Sequence, residues 1–166
     1  DSSLDVSMRG WCGDKLSDCR LALFCDADFA GCVKAARSTT GVFIAVVGPS
    51  TFLPLSAVSQ RQTATSHSTP DAELVAGDYG VRMEGLPALT LWKKLLGIPK
   101  VPLVLCEDNE SAARIIQTGK NPTKRHIGRT RRVDLAFLHE RFSCKDYDIE
   151  ITISERQSAD IFTKAF

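Results

Sequence analysis

The chain has 166 residues, of which 43% are hydrophobic and 25% are charged, and its net charge is +1. This length and composition are typical of one globular domain with a sizeable core, and they exclude a disordered chain or a small disulfide-stapled scaffold. No apolar run approaches the ~18 residues that span a bilayer, and residues 1–10 lack the pattern of a secretory leader. We therefore expect a soluble, intracellular protein with no membrane partner.

The cysteines give no sign of a metal or redox centre. Six are present, without a C-x-x-C pair or a His-x-His companion, at Cys12, Cys19, Cys25, Cys32, Cys106 and Cys144. A zinc site or a thioredoxin-like motif would need such a pair. The spacing therefore predicts free, reduced thiols, the usual state inside a cell.

Short apolar runs and alternating patterns predict five strands, at about residues 20–27, 41–47, 50–57, 102–106 and 148–153. The first three follow one another through glycine-containing connections at 31–41 and 48–49, as in an antiparallel meander. The last shows clean alternation of isoleucines at positions 149, 151 and 153.

Helical patterns occupy much of the second half of the chain. Thr69-Pro70-Asp71 combines a capping hydroxyl, a proline at the first helical position and an acid in the first turn, which predicts a helix start. Glycines at positions 77, 80 and 85 predict that this helix is weak or broken near its end. Further helices are predicted at 89–96, from Asn109 or Ser111 to Gly119, at 133–142 and from 158. Three strands, then helices alternating with two more strands, indicate an α/β domain with helices packed on a mixed sheet.

Four acidic residues lie at the boundaries of predicted elements. Asp26 ends the first strand and Asp108 follows the strand at 102–106, whereas Glu73 and Asp160 lie in the first turns of helices. Turn preference or the helix dipole explains any one of them. Together they indicate a shared site, because the ends of neighbouring central strands meet at one edge of a sheet. A divalent cation would offset the repulsion between carboxylates that lie close together.

Seven motifs, in their order and spacing, resemble the ribonuclease H domain that closes the polyprotein of copia-type retrotransposons. They are CDADFAG (25–31), RSTTG (37–41), STPDAEL (68–74), CEDNESA (106–112), NP (121–122), GRTRRVDL (128–135) and SADIFTK (158–164). The resemblance covers residues 20–166, so residues 1–19 are interpreted as a lead-in from the preceding polymerase region. It implies a ribonuclease H-like α/β fold, in which a five-stranded mixed sheet of three antiparallel and then two parallel strands is flanked by helices.

The resemblance also implies an activity, the hydrolysis of the RNA strand of RNA/DNA hybrids with two Mg²⁺ ions, for which Mn²⁺ is a possible substitute. The family's catalytic acids correspond to the four boundary acids. Asp26 is expected to bridge both ions, with Glu73 and Asp108 on one ion and Asp160 on the other. Glu73 is further expected to accept a hydrogen bond from a ribose 2′-hydroxyl, which distinguishes RNA from DNA. Three neighbouring acids are expected to lie beside the ligands or in solvent, namely Asp28, Asp71 and Glu107.

The implied partners are an RNA/DNA hybrid and the reverse transcriptase domain of the same polyprotein, in the cytoplasm, a virus-like particle or the nucleus. Residues 120–132 contain six of the 21 basic residues and no acid. A solvated loop or a contact with a polyanion would explain this run, and the resemblance favours phosphate contact. The expected hybrid contacts are Lys124, Arg125, Arg129, Arg131 and Arg132 from this segment, with Ser38, Thr39, Thr40, Gln62 and Asn109 from elsewhere.

Two positions depart from the family pattern. The family usually reads S-T-E-A-E before its first long helix, whereas residues 68–73 read STPDAE, one residue longer. Glu73 is therefore the acid whose placement is most open. Many relatives place a histidine shortly before the last aspartate to assist product release, and residues 150–159 contain none. His126 is a candidate auxiliary residue, and otherwise a loop histidine.

Two alternative functions follow from the same residues. A catalytically decayed or co-opted domain would bind nucleic acid or support the polyprotein without cleaving. A resolvase or a 3′ exonuclease can share the fold, but exonucleases of this kind typically show D-x-E on the first strand, where this chain has Asp26-Ala27-Asp28. The presence of all four acids favours the endonuclease.

Overall fold

The computed structural model describes residues 8–32, 37–63, 65–66, 68–97, 101–120 and 129–164. Six strands in these ranges form a mixed sheet in the order β1-β4-β3-β2-β5-β6. They are β1 (Trp11–Cys12), β2 (Arg20–Cys32), β3 (Arg37–Gly48), β4 (Thr51–Arg61), β5 (Leu103–Glu107) and β6 (Asp148–Ile151). β1 to β4 pair antiparallel, and β5 runs parallel to both β2 and β6. The sheet has six strands instead of the predicted five because Trp11–Cys12, within the proposed lead-in, pairs with the start of β4.

The hairpin of β2 and β3 is longer than predicted. Residues 31–41 were expected to form a connection, but pairing continues well into this range, and Asp28 lies opposite Thr39. The threonines of this stretch suit a pleated strand. As a result, Asp26 lies inside β2, opposite Gly41, and not at the end of the strand. What ends near Asp26 is the parallel pairing of β2 with β5.

The helices are α1 (Thr69–Tyr79), α2 (Leu86–Leu96), α3 (Glu110–Thr118) and α4 (Arg129–Ser143). α1 begins where the capping signal predicted, with Ser68 in an extended conformation and its hydroxyl accepting the N–H of Asp71 at 3.4 Å. α4 begins earlier than the predicted residue 133. Three-residue 3-10 turns occur at Leu16–Asp18, Ser154–Arg156 and Asp160–Phe162.

The predicted break after α1 is instead a π-helical segment, Gly80–Gly85, that continues directly into α2. Its glycines allow the helix to approach the sheet closely. A Cβ at Gly80 would lie 2.3 Å from Sγ of Cys25, and one at Gly85 would lie 3.0 Å from Cδ2 of Leu23. The glycines therefore serve packing against β2 and do not end the helix.

The two faces of the sheet bury different clusters. Helices α1, α3 and α4 pack over one face, where the core includes Leu21, Leu23, Cys25, Leu105, Ile116 and Leu138. The other face carries Ala22, Phe24, Phe43, Val104 and Cys106, with the ring of Phe162 stacked on Phe43. Alternate residues of a strand point to opposite faces, so Asp26 continues the row of Ala22 and Phe24.

Two expectations from composition can be compared with the described residues. The cysteines whose side chains the structure describes, Cys12, Cys19, Cys25, Cys106 and Cys144, are free thiols. Among the helices of these residues, none has the length and apolar character needed to cross a membrane.

Candidate active site

The parallel pairing of two central strands places Asp26 and Asp108 at the same end of the sheet. Phe24 of β2 pairs with Cys106 of β5, so each aspartate lies two residues beyond this pair. Asp26 therefore projects on the face that holds Phe24, and Asp108 directly follows the end of β5. Asp26 is buried, with 8% of its surface exposed, and Asp108 is half-buried.

Glu73 reaches the two aspartates from the first turns of α1. The cap at Ser68 fixes where the helix starts, and Glu73 is 4% exposed. One carboxylate oxygen each from Asp26, Glu73 and Asp108 lies within 4.8 Å of the others. The additional residue before Glu73 has therefore not carried it away from the aspartates. This spacing would allow one cation to contact all three side chains.

Asp160 lies beside this cluster and not within it. It opens the 3-10 turn Asp160–Phe162, and its half-buried carboxylate forms an ion pair with Nζ of Lys164. It is close enough to Asp26 for its charge to raise the pKa of that residue. Of the four predicted acids, three converge and the fourth is held next to Asp26 by the C-terminal segment.

Burial and repulsion from neighbouring acids favour the protonated forms of Asp26 and Glu73. Burial is the main cause that raises the pKa of Asp26, and the neighbouring aspartates raise it further, against a lowering by the Thr163 hydroxyl. The pKa of Glu73 is raised, first by burial and then by the charge of Glu107. A bound divalent cation would favour the ionised forms instead.

Glu107 is buried next to the acids of the cluster. We expected it beside the ligands or in solvent, and of these two settings the structure excludes solvent, because the residue is 0% exposed and its charge raises the pKa of Glu73. Its Oε1 accepts the N–H of Asn109 at 3.2 Å, and burial raises its pKa. The sequence of β5 indicates this burial. Leu103, Leu105 and Glu107 are alternate residues of one strand and therefore share its buried, helix-covered face. Asp71, for which the same two settings were expected, is buried as well and therefore does not lie in solvent.

The described residues leave two buried carboxylate oxygens without a hydrogen-bond partner, Oε2 of Glu73 and Oε2 of Glu107. Buried polar atoms are rarely left unpaired unless a water, an ion or a ligand satisfies them. The convergent oxygens of three acids provide the ligand type that Mg²⁺ and Mn²⁺ prefer. The residues present therefore fit a hard divalent cation.

The residues predicted to contact nucleic acid differ in their exposure to solvent. Thr39 is half-buried on β3 opposite Asp28, near the acids, whereas Ser38 and Thr40 are buried. Asn109 caps α3, with its Oδ1 accepting the N–H of Ala112 at 3.1 Å. The Asn109 side chain thus has a structural role at the start of this helix.

Gln62 is buried, and its amide is engaged inside the fold. Nε2 donates to Oγ1 of Thr40 at 3.1 Å and to the carbonyl of Ala72 at 2.9 Å, while Oε1 accepts from Oγ of Ser66 at 3.0 Å. Because Ala72 precedes Glu73, Gln62 fixes the first turn of α1 against β3. This geometry gives Gln62 a structural role at the start of α1.

The predicted basic contacts lie in and beside the start of α4. Lys124, Arg125 and the auxiliary candidate His126 lie outside the described residues. Arg129, Arg131 and Arg132 lie in the first turn of α4, and their side chains are outside the described part of the chain. Their role in binding stays a prediction.

Sequence comparison finds no matching family model and no match among curated proteins. Structural comparison finds ribonuclease H domains. LC11-RNase H1, isolated from compost by a metagenomic approach, has a TM-score of 0.55 at 15% identity, covering 86% of this chain and 91% of its own. LC11-RNase H1 in complex with an RNA/DNA hybrid has a TM-score of 0.53 at 13% identity, covering 86% and 93%. The prototype foamy virus protease-reverse transcriptase has a TM-score of 0.55 at 16% identity, covering 88% of this chain and 20% of its own.

These matches show the fold. The chain has a ribonuclease H-like architecture, with antiparallel and parallel strands in one sheet and helices packed on it, as the sequence motifs implied. The matching region is a fifth of the foamy virus protein and most of the length of LC11-RNase H1.

Proposed function

We propose that this protein is a Mg²⁺-dependent endonuclease that hydrolyses the RNA strand of RNA/DNA hybrids. The observation that carries the proposal is the cluster of Asp26, Glu73 and Asp108, whose ligand atoms lie within 4.8 Å of one another at the end of two parallel central strands. The ribonuclease H-like fold around this cluster supports the reaction class. That LC11-RNase H1 binds an RNA/DNA hybrid supports the choice of substrate.

Four carboxylates would hold two Mg²⁺ ions, or two Mn²⁺ ions as substitutes. In this proposal Asp26 would be a ligand of both ions. Glu73 and Asp108 would be further ligands of one ion, and Asp160 would be a further ligand of the other. When bound, such ions supply an activated water and stabilise charge on the phosphate. The unpartnered Oε2 of Glu73 supports the assignment, because a ligand oxygen must be available to the ion.

The protein's own groups orient the acids. Oγ1 of Thr163 donates to Oδ2 of Asp26, and Oγ of Ser154 donates to Oδ2 of Asp108 at 2.9 Å. Such hydrogen bonds fix the directions in which carboxylate oxygens point. We propose that Glu73 accepts a hydrogen bond from a ribose 2′-hydroxyl. A DNA strand has no such hydroxyl and therefore cannot make this contact.

We further propose that the domain is the C-terminal part of a copia-type retrotransposon polyprotein and acts beside its reverse transcriptase, in the cytoplasm, a virus-like particle or the nucleus. The ordered motifs between residues 25 and 164 support the family. The foamy virus protease-reverse transcriptase, which contains a matching region, supports the polyprotein context. Residues 1–19 are then a lead-in from the polymerase, and residues 120–132 contact the hybrid backbone.

Cleavage assays test the proposal directly. The purified protein is incubated with labelled RNA/DNA hybrid, double-stranded RNA and double-stranded DNA, each with Mg²⁺ and with chelator. We expect cleavage of the RNA strand of the hybrid alone, and only with the metal. Cleavage that persists in chelator would contradict the proposal. Binding of the hybrid without cleavage would favour the non-catalytic domain that the sequence left open.

A further inference from the structure

The segment that carries Asp160 lies outside the sheet, so strand pairing cannot hold it beside Asp26 and Asp108. After β6, the N–H of Thr152 donates to the carbonyl of Glu107. This is the last described backbone hydrogen bond between the segment and a strand. Further along, the described backbone hydrogen bonds of residues 154–164 close local turns. Side chains must therefore anchor this segment.

Gln157 anchors it to the two strands that carry the aspartates. The residue is 4% exposed, and its Nε2 donates to the carbonyl of Cys25 at 3.0 Å and to the carbonyl of Cys106 at 3.3 Å. Its Oε1 accepts a hydrogen bond from the N–H of Ala159 at 3.5 Å. Cys25 immediately precedes Asp26, and Asp160 lies three residues beyond Gln157. One amide thus spans β2, β5 and the turn that bears the fourth acid.

Two further side-chain hydrogen bonds between this segment and the site use the acids themselves, whereas the contacts of Phe162 with Ser59 and Phe43 lie beyond Asp160 in the chain. Ser154 donates to Oδ2 of Asp108, and Thr163 donates to Oδ2 of Asp26. An ion bound by those oxygens would compete with these hydrogen bonds. Gln157 contacts main-chain carbonyls instead, so its anchoring does not depend on whether an ion is bound.

We infer that Gln157 is a positioning residue that sets where Asp160 lies relative to Asp26 and Asp108, and so sets the affinity of the site for its second metal ion. The inference rests on the proposed function. Glutamine suits this position because the nitrogen of its amide carries two hydrogens, one for each carbonyl. Methionine has similar length but no donor, and asparagine is one methylene shorter.

The test measures Mn²⁺ binding by calorimetry, together with kcat and KM for hybrid cleavage, in the Gln157→Met variant. Loss of a residue that orients metal ligands typically weakens metal binding by about 10- to 100-fold. We expect a loss of this size at the weaker Mn²⁺ site and a similar fall in kcat, with KM for the hybrid little changed. Partial restoration of kcat at high Mn²⁺ concentration is also expected, because the ligands themselves are intact.

Tyr147→Phe is the matched control for lost stability. The Tyr147 hydroxyl donates to the carbonyl of Leu138 at 2.9 Å in the buried core, and removing it costs a buried hydrogen bond without touching the anchored segment. This variant should lose stability and keep the parent's Mn²⁺ affinity. Gln157→Met with the parent's Mn²⁺ affinity would overturn the inference and leave the proposed function standing.

A parent protein that binds no Mn²⁺ and cleaves no hybrid would overturn the proposed function, and the inference with it. If Gln157→Met does not fold, Gln157→Asn takes its place, because its shorter side chain keeps a donor but cannot bridge both carbonyls. Weaker Mn²⁺ binding by Gln157→Asn supports the inference, and unchanged binding overturns it.

Discussion

Thr163 donates a hydrogen bond through Oγ1 to Oδ2 of Asp26, a residue 137 positions earlier in the chain. The same hydroxyl lies 2.9 Å from the carbonyl oxygen of Asp160. One threonine thus joins the acid on β2 to the turn that carries the fourth acid. Together with Gln157, it makes the C-terminal segment part of the candidate site, although that segment contributes no strand to the sheet.

Asp26→Asn should abolish cleavage and leave the fold intact. Asparagine keeps the shape of the side chain, and its Oδ1 can still accept from Thr163, but the negative charge needed to hold two cations is lost. In chelator the variant should melt no lower than the parent, because removing one charge relieves repulsion within the cluster. A hybrid-cleavage assay and thermal melting in chelator measure the two effects.

Asp28→Asn is the control for this change, since Asp28 lies two residues further along β2 and outside the cluster of three acids. It should retain cleavage. If Asp26 served only the fold, Asp26→Asn would instead lose about 1 kcal/mol of stability while keeping its activity. A destabilised but active Asp26→Asn protein would therefore refute the assignment of Asp26 as a metal ligand of the nuclease site.

Glu107→Gln should change how stability depends on pH in the metal-free protein. The folded pKa of Glu107 is raised above the ordinary glutamate value of about 4.3, so the folded state retains a proton that the unfolded state releases. This contribution to stability is complete below the unfolded pKa and is lost as the pH rises towards the folded pKa. The melting temperature of the variant relative to the parent should rise between pH 4 and pH 8, the window spanned by titration of this group.

Melting curves in chelator across this range provide the measurement. Glu110→Gln is the control, because Glu110 is exposed in the first turn of α3 and the substitution removes the same charge from a solvated position. A difference between Glu107→Gln and the parent that stays constant with pH would show that Glu107 is ionised in the folded protein. The predicted linkage would then be wrong.

Replacing Arg129, Arg131 and Arg132 together by glutamine should weaken hybrid binding for all sequences. Each phosphate contact contributes about 0.9 to the slope of log affinity against log salt, so the slope should fall by roughly 1 to 3. Binding measured at several salt concentrations checks this. A variant with glutamine at the exposed positions Lys15, Lys94 and Arg114 removes equal charge elsewhere and should keep the slope. Equal slopes in all three proteins would leave a solvated segment as the explanation of the basic run.

Gln62→Met should destabilise the protein without weakening hybrid binding at temperatures where the protein is folded. The substitution removes the buried hydrogen bonds that Gln62 makes with the Ala72 carbonyl and the Ser66 hydroxyl, each of which contributes about 0.5 to 1.5 kcal/mol. Gln60, exposed on β4, is the control site, and Gln60→Met should change stability little. Denaturant unfolding and hybrid titration separate the two roles. If Gln62→Met instead bound the hybrid more weakly while keeping the parent's stability, the predicted direct contact between Gln62 and the hybrid would be supported.

Local sequence determined much of the fold. Alternation and apolar runs located the five main strands, and Ser68 with Pro70 marked the start of α1, because pleat period and capping chemistry depend on near neighbours. The same local signals placed Glu73 and Asp108 near element boundaries. The parallel pairing of β2 with β5 brought Asp26 and Asp108 together, as expected for adjacent central strands.

Tertiary structure decided the features that depend on residues far apart in the chain. The length of β2 and β3 follows from their mutual pairing. The local pattern predicted that the first strand ends near residue 27, whereas Asp26 lies inside the longer β2. Glu107 is buried because helices cover that face of β5, and Gln62 and Gln157 are internal because each finds carbonyl partners on a different element. A residue's own neighbours set its local conformation, but burial and hydrogen-bond partners are set by whichever segments the fold packs against it.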